Sequence, residues 1–189
     1  MSTYSVYGNF YSKPIKENSL LKPLSSYAIT KKISEDVLLK YSKLYNLNIK
    51  ILRLASMYGN GLNKQLLFDA CKKISENKGT FFGTGKEIRD WLHISDLCNF
   101  VYKIIKKNVV KNKIINCGSG KGHRVRDVVE LIKKQFNPNI NIRYINKKKQ
   151  DPRVLITDIK IAKSYKWIPK VNLKKGILKY IKWYKQNND

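Results

Sequence analysis

The pattern of apolar and polar positions predicts helices that alternate with strands along most of the chain. Apolar residues recur close to a 3.6-residue period from Tyr27 to about Asn46, which predicts a long helix that starts at Ser25 or Ser26. The segment from Asn48 to Tyr58 has the aliphatic character of a buried strand. Further helices are expected at about 64–76, 96–107, 125–136, 159–165 and 173–186, and strands at about 81–82, 91–94, 113–117 and 140–145. This alternation is typical of an α/β protein.

The composition fits one folded domain, and we expect it to span residues 1–189. The length of 189 residues leaves room for a substantial core, and 42% of the residues are hydrophobic. No apolar run approaches the roughly 20 residues that span a bilayer, and the first residues lack the order of a signal peptide. Cys71, Cys98 and Cys117 are odd in number and lack Cys-x-x-Cys spacing. We therefore expect no disulfide framework, no zinc site and a cytoplasmic location.

The charge is strongly positive, with 39 Lys and Arg against 13 Asp and Glu and a formal net charge of +26. This charge raises nucleic acid as a partner. However, Lys is spread along the chain, its densest cluster at 147–149 is short, and A/T-rich codons favour Lys, Asn and Ile together. An anionic small substrate is at least as good a use of the same field. A basic nucleic-acid-binding protein stays as the less favoured alternative.

A candidate proton-transfer pair lies at the start of the long predicted helix. Tyr27 and Lys31 are four residues apart, so the phenol and the ammonium share one helical face. A neighbouring ammonium favours the phenolate, which suits general acid–base work. The same spacing also arises on a solvated helix face in a chain with 12 Tyr. The surrounding motifs must decide.

Four other features of the sequence suggest chemistry that the sequence alone does not decide. Residues 118–122 (GSGKG) follow a strand as a phosphate loop does, but they match neither the P-loop nor Gly-x-Gly-x-x-Gly, and a glycine turn is the alternative. Arg89 can clamp a phosphate with two hydrogen bonds. His93 suits a ligand, a catalytic group or a structural residue, and no metal site can be identified around it. Asp151 and Arg153 can bind a ribose and a phosphate, or form a surface turn.

Taken in order, these segments resemble the extended short-chain dehydrogenase/reductase family, and within it the nucleotide-sugar epimerases and dehydratases of the UDP-glucose 4-epimerase type. The ordered set covers nearly the whole chain. Its members are Thr3 with Val6-Tyr7-Gly8, Ser25-Ser26-Tyr27 with Lys31, Arg53 with Tyr58-Gly59, Arg89-Asp90-Trp91-Leu92-His93, Asn116-Cys117-Gly118, and Asp151-Pro152-Arg153 with Trp167-Ile168-Pro169.

The resemblance implies an NAD-dependent oxidoreductase that transfers hydride at the C4 of a nucleotide-diphosphate sugar, with NADP as the alternative cofactor and surface polysaccharide synthesis as the setting. Tyr27 would exchange the proton of a sugar hydroxyl, helped by Lys31 and Thr3. Tyr27 and Lys31 would also hold the cofactor, Lys31 through the nicotinamide ribose. The family often forms homodimers through the catalytic helix and its neighbour.

The resemblance also implies a substrate site. Arg89 would contact the nucleotide diphosphate, Asp151 the nucleoside ribose, and Arg153 a phosphate. Ser56 stands where the family often has a substrate-binding Asn. The dehydratase branch carries Thr-Asp-Glu where this chain has Thr3-Tyr4-Ser5. A 4-epimerase or a 4-keto reductase is therefore favoured over a 4,6-dehydratase.

The chain lacks the family's Gly-x-x-Gly-x-x-Gly loop. We therefore expect a partial Rossmann-like fold without the dinucleotide-binding half, together with a small substrate-binding region. Residues 1–61 would supply the catalytic strand, the Tyr27 helix and the next strand, and 62–189 mainly the substrate-binding region. Such a chain would bind NAD weakly and expose apolar surface on its N-terminal face. It would then be truncated and inactive alone, complement a separate NAD-binding chain, or serve as a non-catalytic nucleotide-sugar-binding fragment.

Overall fold

The computed structural model describes residues 1–8, 13–107, 113–145 and 153–188, and its elements alternate as the sequence pattern predicts. The strands are β1 (Ser2–Thr3), β2 (Ile51–Leu54), β3 (Ser56–Tyr58), β4 (Thr80–Phe82), β5 (Ile88–His93), β6 (Ile114–Cys117), β7 (Gly122–Arg124), β8 (Arg143–Ile145) and β9 (Val154–Leu155). The helices are α1 (Ser26–Leu44), α2 (Gln65–Ser75), α3 (Ile94–Lys107), α4 (Val125–Phe136), α5 (Lys160–Ser164) and α6 (Leu173–Asn188). A 3-10 turn, Tyr4–Tyr7, follows β1. None of the helices in the described ranges is long and apolar enough to cross a membrane.

A parallel sheet in the order β1-β2-β6 carries the first residues of the chain. Helix α1 packs against β1 and the 3-10 turn, and α5 packs against β6. Leu52 and Ile115 of the sheet share a buried cluster with Phe100 of α3 and with Trp167. A parallel sheet covered by helices is the α/β arrangement that the sequence predicts.

A second sheet is built around β5. The C-terminal half of β5 pairs in parallel with β3, whereas the N-terminal half of β5 pairs with β7 in antiparallel and with β9 in parallel orientation. Strands β4 and β8 form a separate parallel pair. Helices α2, α4 and α6 pack against one another around a core that includes Leu67, Ile74, Val129, Ile132 and Tyr180.

The segment 48–58, predicted as one strand, is two strands in different sheets. Strand β2 pairs with β6, and Ala55 ends that pairing with an N–H donated to the Cys117 carbonyl at 2.8 Å. Ser56 then starts the pairing with β5. A run of aliphatic residues indicates a buried strand but does not specify its partner strand. The change from one sheet to the other could therefore not be predicted. Strands β7 and β9 are also absent from the prediction, because two or three residues carry no periodic signal.

Helix α1 begins as predicted, with the Ser25 side chain accepting the Ala28 N–H at 3.2 Å. Its buried residues are Ala28, Glu35 and Ser42, one every seventh position. Its apolar stripe is exposed instead, from 45% at Leu38 to 74% at Leu44, and comprises Ile33, Val37, Leu38, Tyr41, Leu44 and Tyr45. The apolar surface expected at the N-terminal side of the chain is therefore present.

A buried ion pair connects α1 to the first sheet. Arg53 of β2 donates to the Glu35 carboxylate through Nη2 at 2.6 Å and through Nε at 3.0 Å, and both side chains are nearly inaccessible. Ser2 Oγ also donates to Glu35, and Arg53 Nη1 donates to Tyr7 Oη at 2.9 Å. Burial opposes the cation, but the hydrogen bonds to Glu35 and the field of Tyr7 raise the pKa of Arg53 above its usual range. The guanidinium therefore stays charged and holds β1, β2 and α1 together.

Candidate active site

Tyr27 and Lys31 lie side by side on the first turns of α1. Lys31 Nζ is 6.0 Å from the centroid of the Tyr27 ring and 3.4 Å from the carbonyl oxygen of Met1, the residue before β1. Tyr27 is 56% exposed, so its phenol is accessible to a ligand. The four-residue spacing therefore puts both side chains on one helical face, as the sequence predicts. Lys31 on this face contacts the residue before β1, the strand that carries Thr3.

Thr3 ends β1 and caps the 3-10 turn. Its Oγ1 accepts the Ser5 N–H at 3.2 Å and lies 3.2 Å from Ser5 Oγ. The residue is buried, at 7% exposure. Because α1 packs on both β1 and the turn, one compact unit carries the three predicted catalytic side chains.

Ser56 and Arg89 line one pocket, which we call the Arg89 pocket. Its volume is about 250 Å³, and its walls are Ser56, Gln65, Leu66, Phe82, Glu87, Arg89, Trp91 and Val125. Pairing of β3 with β5 places Ser56 opposite Trp91, which brings its hydroxyl next to the strand of Arg89. The structure thus brings together two predicted substrate-binding residues that lie 33 positions apart in the sequence.

The Arg89 pocket contains a carboxylate as well as a guanidinium. Glu87 is 3% exposed and accepts hydrogen bonds from the Thr84 N–H at 2.9 Å and from Thr84 Oγ1 at 2.8 Å. Burial by itself disfavours its charge, but these hydrogen bonds and the nearby Arg89 hold the pKa of Glu87 below its ordinary value. The Glu87 carboxylate is therefore ionised at neutral pH.

Phe82 is a pocket residue that the sequence reasoning missed. Strand β4 places Phe81 inside, at 2% exposure, and leaves Phe82 66% exposed at the pocket. The signal was the two-residue alternation of a strand, which sends adjacent side chains to opposite faces. Trp91 was also missed, and within the described ranges its Nε1 has no hydrogen-bond partner.

Arg153 lies beside this pocket rather than in it. It lines a neighbouring cavity of about 410 Å³ together with Thr84, Lys86, Glu87 and Val154. Glu87 borders both cavities. Asp151 and the lysine cluster at 147–149 lie outside the described residues.

The glycine segment at 118–122 wraps around a carboxylate of its own chain. Asp90, fully buried, accepts the Ser119 N–H at 2.7 Å, the Gly120 N–H at 3.1 Å and Thr157 Oγ1 at 2.6 Å. A Cβ on Gly118 would lie 2.1 Å from Thr157 Oγ1, so the close approach requires glycine. Because two of the loop's N–H groups already bind Asp90, the segment is a structural turn and not a phosphate loop.

His93 makes the contacts expected of a structural residue. Its Nδ1 accepts the Ser95 N–H at 3.2 Å, and its ring meets Tyr58 edge-on at 5.2 Å. Burial is the main cause that lowers the pKa of His93, so the imidazole is neutral at pH 7. Over the parts of the chain that the structure describes, no cluster of His, Cys, Asp or Glu could hold a metal ion.

Comparison with known proteins gives a consistent family assignment. Residues 1–118 match the model of the NAD dependent epimerase/dehydratase family. A UDP-glucuronate 4-epimerase of Thermodesulfobacterium geofontis is 31% identical, over 98% of this chain and 58% of that protein. The similarity to this relative therefore extends past residue 118 to nearly the whole chain.

Solved structures share the fold. The UDP-glucose 4-epimerase of Thermotoga maritima with UDP-glucose superposes with a TM-score of 0.88 and 25% identity, covering 100% of this chain and 63% of that one. The dTDP-glucose 4,6-dehydratase of Bacillus anthracis in complex with NAD gives 0.90 and 26%, covering 99% and 61%. The chain therefore spans about three-fifths of the length of these three proteins, and its fold corresponds to part of a Rossmann-like architecture.

Proposed function

Because the chain belongs to the NAD dependent epimerase/dehydratase family, we propose that it serves an epimerase-type reaction at C4 of a nucleotide sugar. The observation that carries the proposal is the placement of Tyr27 and Lys31 beside the strand of Thr3, together with Ser56 and Arg89 in one pocket. In this proposal residues 1–61 supply the catalytic groups, and 62–189 supply mainly the substrate site.

The pair of Tyr27 and Lys31 on α1 suits the cofactor of this family. A phenol and an ammonium on one accessible helical face can exchange hydrogen bonds with ribose hydroxyls. NAD, when bound, supplies reversible hydride transfer. Tyr27 would pass a proton to and from the sugar hydroxyl, Lys31 would stabilise the phenolate and hold the ribose, and the Thr3 hydroxyl would orient the reacting group. NADP is the alternative cofactor.

The Arg89 pocket suits a nucleotide diphosphate. Arg89 supplies a guanidinium for phosphate oxygens, and Phe82 supplies an exposed aromatic face. Arg153 borders the adjoining cavity as a second cation, and Asp151 would bind the nucleoside ribose. The net charge of +26 would attract such a dianion from a distance.

The type of reaction follows from the residues beside Thr3. Tyr4 and Ser5 provide neither the carboxylic acid nor the carboxylate that water elimination uses in the dehydratase branch, so epimerisation or 4-keto reduction is favoured. A chain that binds nucleotide sugar without catalysis is the second candidate. A nucleic-acid-binding function is least favoured, because the lysines are spread along the chain and their densest cluster is short.

The exposed stripe of α1 is where a partner would bind. A second copy of this chain, or a separate NAD-binding chain, would bury apolar side chains that are now 45–74% exposed. The three free cysteines fit a reducing compartment such as the cytoplasm. Sugars of this kind feed the synthesis of surface polysaccharides, which we propose as the setting.

Calorimetry with UDP-glucose and the purified chain tests the proposal. Removing one charged hydrogen-bond donor with Arg89→Ala should weaken binding by about tenfold or more. Arg124→Ala is the matched control, because it removes an equal charge from the exposed end of the neighbouring strand β7. Its Kd should stay within about twofold of the original. A wild-type chain that does not bind UDP-glucose, or equal losses in both variants, would count against the proposal.

A further inference from the structure

Tyr4 makes a contact that none of the roles above explains. Its Oη lies 2.6 Å from Ser56 Oγ, and Ser56 lines the Arg89 pocket. Tyr4 directly follows Thr3 in the chain. A hydrogen bond therefore runs from the turn that Thr3 caps to the wall of the candidate substrate pocket.

The ring of Tyr4 is firmly held. It is 6% exposed and belongs to a buried cluster with Val6, Ala55 and Leu155. Leu155 pairs in register with Arg89, so the ring packs between the turn after β1 and the strands of the pocket. A phenol fixed in this way can hold a partner hydroxyl in one orientation without a large further loss of side-chain entropy.

The chemistry of Ser56 then depends on Tyr4. A serine hydroxyl has one donor hydrogen and two acceptor lone pairs, and the contact with Tyr4 uses one of these. If Tyr4 donates, Ser56 keeps its O–H for a ligand, and if Ser56 donates, it keeps its lone pairs. In both cases the phenol decides which part of the serine hydroxyl faces the pocket. A sugar hydroxyl can meet either arrangement because it both donates and accepts.

We propose that Tyr4 is a positioning residue that orients the Ser56 hydroxyl toward a hydroxyl of the sugar, so that the pocket binds a nucleotide sugar more tightly than the nucleotide alone. This inference rests on the proposed nucleotide-sugar function. It adds to that function a hydrogen-bonded pair of hydroxyls, Tyr4 Oη from the 3-10 turn and Ser56 Oγ from β3, that recognises the sugar part of the ligand.

A double-mutant cycle measured by calorimetry tests the inference, with UDP and UDP-glucose as probes. Tyr4→Phe and Ser56→Ala should each raise the Kd for UDP-glucose about fivefold, while the Kd for UDP stays within about twofold. Because Tyr4 acts through Ser56, the double variant should bind UDP-glucose no more weakly than either single variant.

Tyr7→Phe is the matched control. It removes a phenol hydroxyl from the same 3-10 turn, but that hydroxyl donates to Asn116 Oδ1 at 2.6 Å and accepts from Arg53 Nη1 at 2.9 Å, away from Ser56. The ratio of the two Kd values should stay as in the wild type, whereas a merely structural role for Tyr4 would change UDP and UDP-glucose binding equally in Tyr4→Phe.

Three outcomes would overturn the inference. The first is an equal loss for both ligands in Tyr4→Phe, and the second is independent losses in the cycle, which multiply to about 25-fold. The third is an unchanged UDP-glucose Kd in Ser56→Ala, a small substitution that decides the matter even if Tyr4→Phe does not fold. Failure of the wild type to bind either probe would instead refute the nucleotide-sugar function, and this inference with it.

Discussion

Replacing Glu35 with alanine should be one of the most destabilising changes in the described part of α1. The substitution removes the carboxylate that accepts hydrogen bonds from Arg53 Nε, Arg53 Nη2 and Ser2 Oγ. Within the described ranges, the Arg53 side chain, 2% exposed, would then keep only Tyr7 Oη and the Glu17 carbonyl as acceptors. A buried charge without its counter-ion costs about 3–5 kcal/mol of the free energy of unfolding.

The next residue of the same helix offers the control. Asp36 pairs with Lys32 one turn away, and the two side chains are 53% and 31% exposed. An exposed pair of this kind contributes about 0.3–0.5 kcal/mol. Asp36→Ala should therefore leave stability almost unchanged, although it removes a carboxylate from the adjacent position.

Urea unfolding followed by far-UV circular dichroism measures both effects. With a slope near 2 kcal/mol/M, a loss of about 4 kcal/mol lowers the midpoint by about 2 M for Glu35→Ala, against less than about 0.3 M for Asp36→Ala. The double variant Glu35→Leu with Arg53→Met removes both charges and should recover most of the loss. A midpoint for Glu35→Ala within about 0.5 M of the Asp36→Ala value would refute the reasoning, as would a double variant no more stable than Glu35→Ala.

Two further predictions concern acid stability and the cofactor. Hydrogen bonding lowers the pKa of Glu87 despite burial, so its ionised form stabilises the fold above the unfolded pKa of about 4.3 and this stability disappears as the pH falls through the folded pKa. Burial raises the pKa of Glu17 instead, so its ionisation costs stability at neutral pH. In urea unfolding at a series of pH values, Glu87→Gln should be less stable than wild type at pH 7 but not well below pH 4. Glu17→Gln should instead be more stable than wild type at pH 7 but not well below pH 4. Parallel pH profiles for the two variants would contradict both assignments. Calorimetry should find that NAD binds the 189-residue chain with a Kd weaker than about 1 mM, because the sequence holds no glycine-rich dinucleotide loop, and a micromolar Kd would overturn that expectation.

Local sequence determined the kinds of element and most of their positions. The Ser25 cap, the helical spacing of Tyr27 and Lys31 and the alternation of helix with strand all depend on neighbours within a few residues, and the structure confirms them. The ordered motifs likewise predicted a family that the comparisons confirm. These features need no knowledge of distant contacts.

Tertiary structure decided what those elements touch. Strand pairing shows that the chain changes sheets at Ala55. Long-range hydrogen bonds show that Asp90 binds two N–H groups of the glycine turn and that Tyr4 reaches Ser56 across 52 positions. The interior place of Glu35 on a helix whose apolar stripe is exposed also depends on Arg53, a partner from another strand. Local periodicity records how a side chain is oriented on its own element, but not which distant group meets it, because that choice is made by packing.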